Sequence, residues 1–299
     1  MLGQVRSQLA DRWAGSAARM VTARLTKPAP NAAETKHGGN LVAEVLKTNQ
    51  VDNIFVLSGG HVSPIFTGCE ALGINVVDMR NEASAVFAAD AAARLTGSTG
   101  VAVVTAGPGV TNTVTAMKNA QMAGTPLLVI GGAAATLLKG RGALQDIPQR
   151  PIMETVCKRT YTVNTVRDIV PTLKAALSMA QDGVPGPVFV EMPIDTLYPY
   201  AVVEGDVVGT GGDSKSLAGR ITGAIMRAYL HNMFSMGFDA VDDMKVESTH
   251  FTIDESKLTE VKTLLSQAKR PVLLLQSQVT SIFPTTVRLE EEERGLTDS

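Results

Sequence analysis

The chain has 299 residues, 44% of them hydrophobic and 19% charged, so it can bury a sizeable core and wholesale disorder is excluded. Its 27 Lys and Arg against 29 Asp and Glu leave a formal charge of −2, and aromatics make up only 4%; neither a basic field nor a stacking surface for nucleic acid is present. Its two cysteines, Cys69 and Cys157, form no disulfide framework or CxxC site and read as small buried hydrophobes, and His37, His61, His231 and His250 show no HxxxH or HExxH spacing, so no metal ligands are expected.

Residues 1–38 form a basic, acid-poor tail. Leu2, Val5, Leu9, Trp13 and Met20 recur there at near-helical spacing among Arg6, Arg12, Arg19, Arg24, Lys27 and Lys36. That is the pattern of a transit peptide, or of a solvated tail, and Pro28 and Pro30 end any helix. The richest apolar stretch, residues 126–138, is broken by Gly131 and Gly132 and is too short to span a bilayer, so no transmembrane segment is expected.

From Gly39 onward helix-like and strand-like stretches alternate. Residues 41–48 are a short amphipathic run. Residues 53–58 (NIFVLS) read as a strand running into Gly59-Gly60, and a helical stretch follows through Leu72. Residues 74–78 are a second strand, and the Ala-rich stretch 82–95, free of Gly and Pro, is a helix. VAVVT at 101–105 is a fully apolar strand leading to Gly107-Pro108-Gly109; residues 111–123 read as helix. Residues 127–130 (LLVI) are a strand ending in Gly131-Gly132, and 188–191 a last strand stopped by Pro193. Continuous apolar strands separated by helices predict an α/β fold with a doubly wound parallel sheet over residues 39–200, covered on both faces. Such sheets bind ligands at the carboxyl ends of their strands, which places a site near Gly59, Glu82, Gly107 and Gly131.

Residues 201–250 read as a linker, Gly-, Asp- and Ser-rich at 203–216, with a helix at 217–234. Residues 251–279 carry a helix at 254–269 and an apolar strand, VLLLQ, at 272–276; they read as the opening of a second α/β domain. One helix and one strand bury no core of their own, so this second domain is expected to be incomplete and poorly packed. Residues 280–299 lose all periodicity, end in a run of four glutamates followed by polar residues, and read as a disordered tail.

Three stretches carry candidate chemistry. Gly107-Pro108-Gly109-Val110-Thr111-Asn112 places GxG between a strand and a helix, the dinucleotide-binding form, but Asn112 stands where the third glycine belongs. The alternative is a tight strand-to-helix turn whose N–H groups face an anion or a polar ring. Glu82 opens a helix behind Asn81. It is either a glutamate favoured by the helix dipole or, among Ala83, Ala85, Val86, Ala88 and Ala89, a partly desolvated, proton-handling carboxylate. Gln145 lies in a glycine-bearing loop, residues 141–146, after a strand; on its own it reads either as part of a plain loop or as a side chain that reaches a ligand.

Together RNEASAVFAADAAARLTG, VAVVTAGPGVTNTVTAMKNAQMAGTPLLVIGG, GALQD and GPVFVEMPID resemble the pyrimidine-binding domain of thiamine-diphosphate enzymes. The acetolactate-synthase-like group, which includes 2-hydroxyacyl-CoA lyases, is the nearest in look. His37-Gly38-Gly39, Gly59-Gly60-His61, Ser63-Pro64, residues 167–173 (RDIVPTL) and 195–200 (DTLYPY) carry that likeness, which covers about residues 37–279.

The resemblance implies that Glu82 hydrogen-bonds the cofactor's pyrimidine and stabilises the imino tautomer that removes the thiazolium C2 proton. It implies that Gly59, Gly60, Gly107, Pro108, Gly109 and Asn112 line the cofactor pocket, and that His61 and Gln145 lie near substrate. In the family the diphosphate and Mg²⁺ are held by a C-terminal domain with a GDG motif; Gly205-Asp206-Val207 and Gly212-Asp213-Ser214 lack the third glycine. Only the pyrimidine end of the cofactor is therefore expected to find its site here, and the chain alone is not expected to turn over. The implied function is the N-terminal part of a C–C lyase of 2-hydroxyacyl-CoA type. An acetolactate-synthase-like carboligase, or a non-catalytic short form regulating full-length subunits, are the alternatives. The implied partners are a second copy or a full-length subunit, and an acyl-CoA or 2-keto acid. The implied compartment is the mitochondrion by the basic N-terminus, the endoplasmic reticulum by family, or the cytoplasm.

Overall fold

The computed structural model describes residues 36–208, 217–238, 243–246 and 254–272. The predicted transit segment up to residue 35, the tail at 280–299 and the predicted strand beyond Val272 lie outside the described residues; Val272 itself is exposed and in no regular element. Among the described residues, every helix and strand belongs to the compact unit that begins at His37.

Six parallel strands form one sheet: β1 (Asn53–Val56), β2 (Asn75–Asp78), β3 (Gly100–Val104), β4 (Leu127–Ala133), β5 (Arg159–Thr162) and β6 (Pro187–Pro193), in the order β2-β1-β3-β4-β6-β5. Helices α1 (Gly38–Thr48), α2 (Ser63–Ala71), α3 (Glu82–Thr96), α4 (Pro108–Thr111), α5 (Val114–Ala123), α6 (Gln149–Glu154) and α7 (Ile169–Gln181) cover it. After β6 come α8 (Ile194–Leu197), α9 (Tyr200–Val208), α10 (Leu217–Phe234) and α11 (Glu255–Gln267).

Every residue of β3, β4 and β6 is buried, whereas the edge strands β2 and β5 expose part of theirs. That is why the central strands read as unbroken apolar runs. Alternate residues go to opposite faces. Val101, Val103, Leu128, Ile130, Val188 and Val190 join one core with α1, α2 and α7; Ala102, Val104, Leu127, Val129 and Phe189 join another with α3, α5 and α6. Each fully buried Leu, Ile or Phe among them stabilises the fold by about 1.5–3 kcal/mol relative to exposure.

The topology locates a crevice. The chain steps from β1 to β2 on one side, then returns to lay β3 on the other side of β1. The loops leaving β1 and β3 therefore diverge at their carboxyl ends, where open parallel sheets take ligands.

Several expectations need correction. The predicted helix at 111–123 is two helices, α4 and α5, parted at Asn112-Thr113. β5 and α7 were not among the predicted elements. The region expected to be a linker, 201–250, contributes to the main core. Val203 of α9 and Leu230, Met233 and Phe234 of α10 are buried in the same cluster as α1 and α7, and the rings of Tyr200 and Phe234 meet edge-to-face at 5.3 Å. Farther on, Asn49 donates to the Met244 carbonyl at 2.9 Å and accepts the Val246 N–H at 2.8 Å. The Gly-, Asp- and Ser-rich composition of 209–216, outside the described residues, hides this contribution to the core in the sequence. His37 and Gly38, placed in the tail by the sequence, are buried; a Cβ on Gly38 would lie 2.0 Å from the Thr196 carbonyl oxygen. α11 forms as predicted, capped by Asp254, and none of its residues is buried.

Cys69 and Cys157 are buried free thiols, each pushed up to about 12 by burial, with the charge of Glu70 adding at Cys69. Among the described residues no helix is long and apolar enough to cross a membrane.

Candidate active site

Asn81, not Glu82, caps α3. Its backbone is extended and its side chain accepts the Ala83 N–H at 2.9 Å. Glu82 is thus released from capping duty. It is the first residue of the helix, where the dipole favours a negative charge, and it is only 7% exposed. Its Oε2 accepts Nδ2–H of Asn112 at 2.9 Å. Asn112 lies at the parting of α4 and α5, so a single side-chain bond ties the turn after β3 to the start of α3. The dinucleotide form loses ground here, since the residue standing for its third glycine is bonded to a carboxylate.

The turn after β3 is built around Gly107, with φ 63° and ψ −112°, a conformation open to glycine. Pro108 follows at the start of α4, where it forfeits no helical bond. The Gly107 carbonyl then accepts the Thr111 N–H at 3.0 Å. A Cβ on Gly109 would fall 2.8 Å from Thr105 Cγ2 and 3.7 Å from Glu82 Oε1, so the missing side chain leaves the carboxylate approachable from this turn.

Across the crevice, Gly59 packs its backbone on the same threonine: a Cβ there would sit 2.4 Å from Thr105 Cβ. The Gly60 carbonyl accepts from the Tyr198 hydroxyl at 2.8 Å. His61 is buried, with Nδ1 3.2 Å from Thr105 Oγ1, and Thr105 Oγ1 donates to Gln145 Oε1 at 3.4 Å. Gln145 has φ 60°, rare outside glycine, and its carbonyl would meet a Cβ on Gly107 at 2.7 Å.

All the residues singled out in the sequence therefore gather at the carboxyl ends of β1, β3 and β4. They form two groups, Glu82–Asn112–Gly109 and His61–Gln145, joined through Thr105. Thr105 was read only as the end of a strand; its hydroxyl just before a glycine turn was the available signal. Gln149 was also missed, being a polar residue in an unremarked helix. Beside Gln145 a cavity of about 350 Å³ opens between Lys139, Arg150 and Glu191, and Lys139 Nζ pairs with the buried Glu191 carboxylate at 2.7 Å. Next to it Asp195 is buried and pushed above the ordinary carboxylate range by that burial, against the opposing hydrogen bonds from Thr136, whose N–H lies at 2.8 Å.

No group of three or more His, Cys, Asp or Glu is placed to hold a metal ion among the described residues. A buried carboxylate beside a turn that lacks side chains at Gly107 and Gly109 leaves room for a ring that brings its own polar nitrogen to the carboxyl.

Residues 36–152 match the family described as thiamine pyrophosphate enzyme, N-terminal TPP binding domain. The 2-hydroxyacyl-CoA lyase 2 of Danio rerio is 55% identical over 247 residues, which are 82% of this chain and 39% of that protein. Its Homo sapiens counterpart is 50% identical over 254 residues, 85% of this chain and 40% of that protein. The acetolactate synthase large subunit IlvG of Mycobacterium tuberculosis is 40% identical over 163 residues, 54% of this chain and 30% of that one. The chain thus spans 39–40% of the length of these two lyases.

Proposed function

We propose, on the premise that residues 36–152 are the N-terminal TPP binding domain of a thiamine pyrophosphate (thiamine diphosphate) enzyme, whose family they match, that the chain is the pyrimidine-binding part of a C–C lyase acting on 2-hydroxyacyl-CoA. The observation that carries the proposal is Glu82: a buried carboxylate, freed from capping by Asn81 and oriented by Asn112 at 2.9 Å. The relatives named as 2-hydroxyacyl-CoA lyases, alike over 82–85% of this chain, support the substrate class.

Thiamine diphosphate, when bound, supplies the carbon nucleophile and electron sink that cleavage next to a carbonyl requires. The chain's own residues bind, orient and move a proton. Glu82 would hold the pyrimidine by a proton on its carboxyl, and Asn112, bonded to Oε2 at 2.9 Å, would keep that carboxyl in one orientation. Gly59, Gly60, Gly107, Pro108 and Gly109 would line the pocket for the ring, where backbone without side chains can come close to it. His61 and Gln145, linked through Thr105, face the substrate side. In this reading the diphosphate and Mg²⁺ are held by protein outside the described residues, and the site is completed by a second subunit.

The test is product analysis with thiamine diphosphate and Mg²⁺ present, on the chain together with the protein that supplies the diphosphate site. A 2-hydroxyacyl-CoA is expected to yield formyl-CoA and a shortened aldehyde. Acetolactate from pyruvate, with the 2-hydroxyacyl-CoA left intact, would overturn the lyase in favour of the carboligase, a reading supported by the 40% identity to IlvG.

A further inference from the structure

Gln149 opens α6 and is only 2% exposed, yet both its partners are backbone groups. Its Oε1 accepts the Gly107 N–H at 3.0 Å, and its Nε2 donates to the Gly132 carbonyl at 2.8 Å. An N–H only donates and a carbonyl only accepts, so the amide has a single orientation. It bridges the turn after β3 to the carboxyl end of β4.

Gly107 has use for such a bridge. Its N–H stands ahead of α4, where no preceding turn of helix supplies an acceptor, and its left-handed backbone has no side chain to hold it. The direction taken at Gly107 sets α4, and α4 delivers Asn112 to Glu82. The loop carrying Gln149 also packs on this turn, through the Gln145 carbonyl.

We infer that Gln149 is a positioning residue for Glu82: its amide fixes the Gly107 peptide and, through α4, the reach of Asn112 Nδ2 to Glu82 Oε2. The inference rests on Glu82 being the proton-handling group, but its test uses the chain without cofactor, so the two fail separately.

The experiment compares ¹H–¹⁵N NMR spectra of the wild-type chain with those of Gln149→Met and Gln149→Glu. Methionine keeps the volume and removes both bonds. The Gly107 amide is expected to exchange about tenfold faster, the loss of roughly one hydrogen bond. The Asn112 side-chain NH₂ signals are expected to shift, while the amides of β5 and α7 stay in place. Glutamate keeps an acceptor for Gly107 but sets a second one against the Gly132 carbonyl until it is protonated. The Asn112 signals of Gln149→Glu are therefore expected to return toward wild type as pH falls. Lys139, Asp146, Arg150 and Glu191 line the cavity beside Gln149, so each spectrum is compared with wild type at the same pH. Unmoved Asn112 signals in a folded Gln149→Met, or no recovery of Gln149→Glu at low pH, would overturn the inference. If Gln149→Met does not fold, Gln149→Glu decides. Recovery in Gln149→Glu, combined with full activity of Glu82→Gln, would leave the bridge standing and reject the cofactor reading.

Discussion

A carboxylate taken out of water needs a donor, and Glu82 finds one in the Asn112 amide. The arrangement depends on Gly107, because any side chain there forces an unfavourable backbone and drives a Cβ to 2.7 Å from the Gln145 carbonyl oxygen. Gly107→Ala is expected to destabilise the chain by about 1–3 kcal/mol in urea unfolding. Gly73, also left-handed at φ 69° but with open space around it, is the control: Gly73→Ala meets the backbone penalty alone and costs less. Equal losses at the two positions would show that the Gln145 contact is not rigid. At this scale the sequence was legible where a residue type is unusual for its place, such as Glu82 opening an alanine-rich helix and Asn112 replacing a glycine. It was not legible for Gln149, whose partner Gly107 lies 42 residues away; nothing local in QRPIME marks an amide that serves a distant turn.

Elements were readable in proportion to how completely they are buried. β3, β4 and β6, buried at every position, show as apolar runs. β5, RTYT, is a short edge strand with polar residues facing out, and a pattern of buried runs passes it by. α7 had a signal: Ile169, Val170, Leu173, Ala176, Leu177 and Ala180 are its buried face, at spacings of three and four. α10 was readable as a helix but not as part of the core, because its docking face is small: Leu230, Met233 and Phe234 near its end, while Ile221 and Ile225 are exposed. Leu230→Ala, at a site with no exposed surface, is expected to cost about 2–5 kcal/mol and to lower the single unfolding transition of the whole unit. A separate early transition for α10, with the sheet unaffected, would show that it is an appendage after all.

For the molecule as a whole, two buried groups shape stability against pH in opposite directions. Burial lowers His37 below its ordinary 6.5, so the unfolded chain takes up that proton first, and stability falls as pH drops through 6.5 toward the lowered value. Burial raises Asp195 above its ordinary 3.8, so the folded chain keeps a proton that the unfolded chain has released. Stability from this group is present below 3.8 and is lost as pH rises through the raised value. Asp195→Asn keeps an acceptor for the Thr136 N–H and cannot ionise. Urea unfolding across the acid range is expected to show the variant gaining on wild type as pH rises; parallel curves would mean that Asp195 titrates alike in both states.

The crevice formed where β1 and β3 part, walled by glycines and closed by Glu82, is the feature from which the proposed chemistry follows. Its most direct test is the rate of 2-hydroxyacyl-CoA cleavage by the protein carrying Glu82 and by its Glu82→Gln variant, both with saturating thiamine diphosphate and Mg²⁺. A folded Glu82→Gln is expected to be slower by about 10²–10⁴-fold, the loss of positioned proton transfer. A variant as fast as wild type would contradict the assignment of Glu82 and, with it, the site.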